Sequence, residues 1–139
     1  MAHAQVAVSL KLILKNAEGK VLALEAQGNG PMADYYDLPG GRIDEDEIEV
    51  PFTKIFEREI QEELGDVRFS VVPRPITVLT WTWPNGKQFC YVYYEGTLIS
   101  GEPKISAEHL SFKWIDLDET EINNHFTTFH KSALLQYIS

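Results

Sequence analysis

Cations and cysteine are scarce in this chain. Its 139 residues carry 12 lysines and arginines against 21 aspartates and glutamates, a formal net charge of −9. The cations are scattered and form no run, which argues against the basic face of a duplex DNA or RNA binder. So much negative charge also disfavours anionic substrates, unless a cation bridges them. Cys90 is the one cysteine. No internal disulfide can form, and the apolar run around it, residues 89–94, reads as a setting for a buried thiol rather than for a catalytic Cys–His pair. The apolar run near the N-terminus, residues 6–14, is short and broken by Ser9 and Lys11, so it is neither a signal peptide nor a membrane span. Internal repeats, low-complexity stretches and linkers are also missing. Together these absences predict a protein of a reducing, cytoplasmic setting. Hydrophobic residues make up 44% of the chain, enough for a core without staples, and the length suits one domain, 1–139.

What the chain does have is concentrated between Pro39 and Gly65. A glycine turn, Pro39-Gly40-Gly41, precedes an acidic stretch and then a segment free of Gly and Pro. Pro51 suits the first turn of a helix and Gly65 its stop. At about 100° per residue, Phe52, Ile55, Phe56, Ile60 and Leu64 form one apolar arc. Lys54, Glu57 and Gln61 lie opposite. Glu59 and Glu63 fall inside the apolar arc and Glu62 at its edge. Like charges at i,i+3 and i,i+4 cost roughly 0.2–0.5 kcal/mol per pair even on an exposed helix, and burial raises that cost steeply. Arg58 offsets one carboxylate, not three. A divalent cation would relieve the strain, since hard cations prefer carboxylate oxygens. A solvated acidic helix is the plain alternative, disfavoured by the carboxylates' place on the core side.

These residues resemble the Nudix hydrolase family, whose box runs G-x5-E-x7-R-E-U-x-E-E-x-G-U with U apolar. Here Gly41, Glu47 and Arg58-Glu59-Ile60-Gln61-Glu62-Glu63-Leu64-Gly65 match it, preceded by Leu38-Pro39-Gly40. Ten residues separate Glu47 from Arg58, three more than the family's seven; they fall in the loop before the helix, where insertions are cheap. The last apolar position is Asp66. The resemblance implies an α+β fold, an α/β/α sandwich around a mixed sheet. It implies a Mg2+-dependent hydrolase, with Mn2+ as a substitute, that cleaves a diphosphate linkage in a nucleoside diphosphate derivative. Glu59, Glu62, Glu63 and the Gly40 carbonyl would be the metal ligands, with Arg58 orienting the carboxylates. In mutator-type nucleoside triphosphate pyrophosphohydrolases a later glutamate stands six residues before a tryptophan. Glu108 precedes Trp114 in that way, a candidate for a further metal ligand or, like Glu59, the general base. The resemblance also admits a homodimer.

Substrate residues are read more coarsely. Tyr35, Tyr36, Trp81, Trp83 and Phe126 are candidates to stack a base, against a core role for each. Residues 24–27 lack the phosphate-binding arginine of many mutator-type relatives, which leaves Arg42 and Lys87 as substitutes. His125 and His130 read as surface or cap residues. Met32-Ala33-Asp34, ahead of the Tyr-rich strand, resembles the mutator-type loop, which implies a nucleoside triphosphate or modified nucleotide, with ADP-ribose, nucleotide sugars and dinucleoside polyphosphates as alternatives. Rival classes are a nucleotide-binding module without activity, an isoprenoid-type diphosphate isomerase and a calcium-binding protein. The intact glutamates, the strand setting of Cys90 and the lack of an EF-hand loop oppose them in turn. Strands are expected at 5–15, 21–26, 35–38, 69–72, 76–83, 88–99 and 112–116, with a loop at 27–34, a hairpin turn at 84–87 and two helices, 52–64 and 127–138.

Overall fold

The computed structural model describes residues 2–26 and 35–139. In chain order the strands are β1 (Ala7–Lys15), β2 (Val21–Ala26), β3 (Tyr36–Asp37), β4 (Gly40–Arg42), β5 (Arg68–Val71), β6 (Thr77–Thr82), β7 (Gln88–Ser100) and β8 (His109–Ile115). The helices are α1 (Phe52–Leu64), α2 (Glu119–His125) and α3 (Thr128–Ile138). Alternation along the two longest strands decides how they assemble. β1 and β7 run parallel, with Ala7 opposite Phe89 and Lys15 opposite Thr97. Successive side chains leave opposite faces of a strand. Leu10, Leu12 and Leu14 therefore join Val92 and Tyr94 on one face, while Ile13 joins Phe89, Tyr91 and Tyr93 on the other.

Each face is closed by a helix. α1 lays Ile55, Phe56, Ile60 and Leu64 on the first. α2, α3 and the joint between them lay Ile122, Phe126, Phe129, Ala133 and Leu134 on the second. Both strands carry apolar side chains on each side, as strands covered on two faces do, but Ser9 and Lys11 break the second face of β1. β5 and β6 pair antiparallel with successive stretches of β7, and β4 and β2 pair antiparallel with β1. β8 and β3 complete the sheet beside β2. The expected α/β/α sandwich with a mixed sheet is the architecture found.

The structure adds and corrects elements. A third helix, α2, was not expected; the side chain of Asp118 caps it, accepting from the Glu121 amide at 2.8 Å. A 3-10 turn, Glu45–Glu47, occupies the loop that holds the three extra residues. Phe126, a candidate base-stacking residue, is 0% exposed and belongs to the core beneath α2 and α3, so it has no face left for a base. His130 is no surface residue but is 1% exposed. Cys90 is half-buried against the α1-side core rather than sealed within it. The loop at 27–34, with Met32-Ala33-Asp34, lies outside the described residues. Among the described residues no helix is long and apolar enough to cross a membrane.

Candidate active site

The glycine turn and α1 meet edge on. Gly40 takes φ +130° and donates its N–H to Glu63 Oε1 at 2.5 Å. A Cβ on Gly41 would stand 2.5 Å from Glu59 Oε2, so only glycine lets that carboxylate press against β4. The amphipathic period of α1 delivers both glutamates inward, Glu59 at 6% exposure and Glu63 at 7%. Glu59 Oε1 is buried without a hydrogen-bond partner. Burial pushes the Glu59 carboxyl up to about 7, against the pull of Arg58 and Lys11. It pushes Glu63 up to about 8, against Lys11 and the Gly40 amide. The interior therefore holds carboxylates that it disfavours as anions.

Arg58 is the local counterweight. Its Nε and Nη2 grip both oxygens of Glu47 at 2.8 and 2.6 Å, and its Nη1 reaches Glu62 at 3.1 Å. The insertion has not separated Glu47 from Arg58; residues 48–51, between the 3-10 turn and α1, carry the chain round so that Glu47 still meets the guanidinium. That pairing holds the Glu47 carboxyl below its usual range. Glu62, unlike its neighbours, faces solvent, its side chain 61% exposed.

A second set of donors converges on Glu63 from the far end of the sheet. One ligand atom from each of Glu63, Glu108 and His109 lies within 4.8 Å of the others, and Glu59 and Glu62 stand outside that set among the described residues. The pairing of β2 with β8 explains the geometry. Leu24 faces Phe112 and Ala26 faces His109, so β8 spends one more residue than β2 between those pairs. Phe112 and Trp114 pack on the α1 side. Strict alternation would turn His109 away from that side; the bulge turns it toward Glu63. His109 Nε2 comes to 3.9 Å from Glu63 Oε2. Burial lowers the pKa of His109, favouring the neutral ring.

Beside the carboxylates opens a cavity of about 400 Å3. Gly41 lines it, so one backbone segment borders both Glu59 and the cavity. Ser9 and Lys11, two residues apart on β1, share the face that looks into it. Lys11, 7% exposed, is held by Asp37 at 3.1 Å and by the Leu38 carbonyl at 3.4 Å. Asp37 Oδ1 also accepts from His130 Nε2 at 2.7 Å and from the Leu38 amide at 2.8 Å. His130 Nε2 must carry the proton to donate to a carboxylate, so Nδ1 accepts from the Tyr93 hydroxyl at 2.8 Å. Burial opposes ionisation of Asp37, but Lys11 and His130 outweigh it and hold the carboxyl well below its usual range. Trp83, Phe89 and Tyr91 supply an aromatic wall, and the exposed Arg42 and Lys87 also line the cavity.

Of the proposed substrate residues, then, Arg42, Lys87 and Trp83 border the cavity; Tyr35, Tyr36 and Trp81 are not among its lining residues. Tyr36 instead meets His125 edge on, at 5.4 Å between ring centres. Lys11, Asp37, His130 and His109 were not foreseen. For Lys11 the signal was present, because Ser9 and Lys11 interrupt an otherwise apolar strand at a spacing of two.

The NUDIX domain family matches residues 5–136. The fold is similar to that of the MutT protein from Methanosarcina mazei, with TM-score 0.78 and 20% identity over 99% of this chain and 96% of that one. It is similar to the MutT NUDIX hydrolase from Burkholderia pseudomallei, with TM-score 0.74 and 25% identity over 96% and 98%. It is similar also to a C. elegans Ap4A hydrolase, with TM-score 0.75 and 23% identity over 96% of each chain. A search of curated proteins finds no significant match. With the family matched over nearly its whole length, and Glu59 and Glu63 seated against a glycine turn, this chain belongs to the NUDIX family of pyrophosphohydrolases.

Proposed function

We propose that the chain cleaves a diphosphate linkage in a nucleoside triphosphate, plain or modified. The divalent cation, Mg2+ or Mn2+, would be held by Glu59, Glu62 and Glu63, the Gly40 carbonyl and Glu108. The observation that carries this reading is the shared border at Gly41, with buried carboxylates on one side and a nucleoside-sized cavity on the other. The donor set fits such an ion. It offers carboxylate oxygens, one of them, Glu59 Oε1, buried with no hydrogen bond and only an ion pair to Arg58 at 3.5 Å, and hard cations take those ligands.

When bound, the cation supplies charge neutralisation of the diphosphate and Lewis acidity for attack by water at phosphorus. The chain's own residues do the rest. Arg58 fixes Glu47 and Glu62 and keeps the acidic helix from repelling itself. Lys11, Arg42 and Lys87 supply positive charge on the cavity side, where the phosphates of a bound nucleotide would pass. Trp83, half-buried at the cavity wall, offers an aromatic surface for a base, and Asp37 offers an acceptor edge. Glu59 or Glu108 would accept the proton from water.

The test is phosphate or pyrophosphate release from a panel of nucleoside triphosphates, nucleotide sugars and dinucleoside polyphosphates, with Mg2+ and then with chelator. Release from triphosphates that stops with chelator is the expected result. Preferential release from dinucleotides or nucleotide sugars would replace the substrate class. A rise in melting temperature with no release from any compound would make the chain a binding module.

A further inference from the structure

We propose that His109 supplies a nitrogen ligand to the bound divalent cation, so that the site is mixed carboxylate and imidazole and favours first-row transition ions over Mg2+. This rests on the reading that Glu63 and Glu108 hold that cation.

Three independent features of His109 lead here. The first is its direction. The β-bulge in β8 spends a residue to bring this ring to the α1 side, and bulges beside sites commonly re-aim a side chain. The second is its burial: the His109 side chain is only 8% exposed and that of Glu63 only 9%, so the two groups face each other out of bulk water. The third is its distance. Nε2 lies 3.9 Å from Glu63 Oε2, too far for a hydrogen bond. Ligand bonds of about 2.1 Å put two ligands of one ion roughly 3 to 4.2 Å apart, which brackets that separation. Glu63 is prepared for this arrangement: Gly40 occupies its Oε1, which leaves Oε2 to face the imidazole. Glu108, one residue before His109, completes the set within 4.8 Å.

Carboxylate and water ligands suit Mg2+, whereas imidazole suits later transition ions. His109 thus selects among cations that the carboxylates alone would accept more evenly. The experiment is Mn2+ titration into the full chain, followed by electron spin-echo spectroscopy for 14N coupling. Nitrogen modulation in the wild type, lost in His109→Gln, is the expected result. In the same variant, affinity for Co2+ by calorimetry should fall roughly 10- to 100-fold, with affinity for Mg2+ little changed. Bound Mn2+ without nitrogen modulation overturns the proposal, and if Glu63→Gln still abolishes that binding the carboxylate site itself stands. Mn2+ binding that survives intact in Glu63→Gln overturns both. The wild-type spectrum decides the question even if His109→Gln fails to fold.

Discussion

Glu63→Gln should lower metal-dependent turnover by about a thousandfold, while the metal-free protein melts at the same temperature as the wild type or higher. The two halves of this expectation have one cause. Burial pushes the Glu63 carboxyl up to about 8, so at pH 7 without metal it keeps its proton most of the time. Glutamine copies that neutral form in shape and still offers Oε1 to the Gly40 amide. What it cannot supply is an anionic oxygen for a cation. The pH dependence follows with a definite sign. A carboxyl raised from 4.5 to about 8 on folding binds more protons in the folded state than in the unfolded state across that window. This group's contribution to metal-free stability therefore falls as pH rises from 5 to 8, at most by about 1.4 kcal/mol per unit, against the opposite trend from His109 and His130, which burial keeps neutral. Glu59 adds to the slope up to about 7. Glu63→Gln removes its share, and Mg2+ flattens the wild-type slope by binding the anionic form. Melting curves at pH 5 and pH 8, with chelator and with Mg2+, read all of this. Wild-type turnover in a folded Glu63→Gln would remove Glu63 from the site.

The parts of this molecule that could be read from sequence are those whose causes are local. α1 spans Phe52–Leu64 as expected because Pro51 and Gly65 punctuate it and its apolar arc has a clear period. β2 spans Val21–Ala26 as expected, with a turn before it and Gly28, Gly30 and Pro31 in the sequence after it. α2 escaped because its seven residues hold a single buried apolar side chain, Ile122, which sets no period. β4 escaped because Gly-Gly-Arg has no strand preference of its own; pairing with β1 makes it a strand. The site divides in the same way. Glu59 and Glu63, four residues apart on α1, share its buried face by helical geometry, so their inward direction was legible, whereas Glu62, at the edge of the arc, faces solvent. Lys11 and Asp37 are 26 residues apart, and Asp37 and His130 are 93 apart; only the folded sheet brings them to one cavity. His109 was hidden more deeply, since alternation from Trp114 and Phe112 places it on the wrong face unless the bulge is known.

Gly40→Ala should cost at least about 3 kcal/mol and lower the melting temperature by about 10 °C, with activity lost in step. The methyl group would stand 2.0 Å from the Leu10 carbonyl oxygen and 2.9 Å from its carbon. Neither can step aside. Lys11 faces Gly40 and Leu10 faces Gly41 in the pairing of β1 with β4, and the Leu12 amide donates to the Pro39 carbonyl at 2.8 Å. β1 is in turn fixed along its length by β7. The φ of +130° adds strain for any residue with a Cβ. Gly86 provides the control, because it too has a positive φ, +88°, but a methyl group there meets nothing within 4 Å. Gly86→Ala should therefore cost only the conformational part, about 1–2 kcal/mol. If the two variants melt within a few degrees of each other, the close approach of β4 to β1 is not what holds the turn. If Gly40→Ala alone collapses, the contact that seats Gly40 under Glu63 is also the contact that locks β4 into the sheet. The site could then not be loosened without loosening the fold.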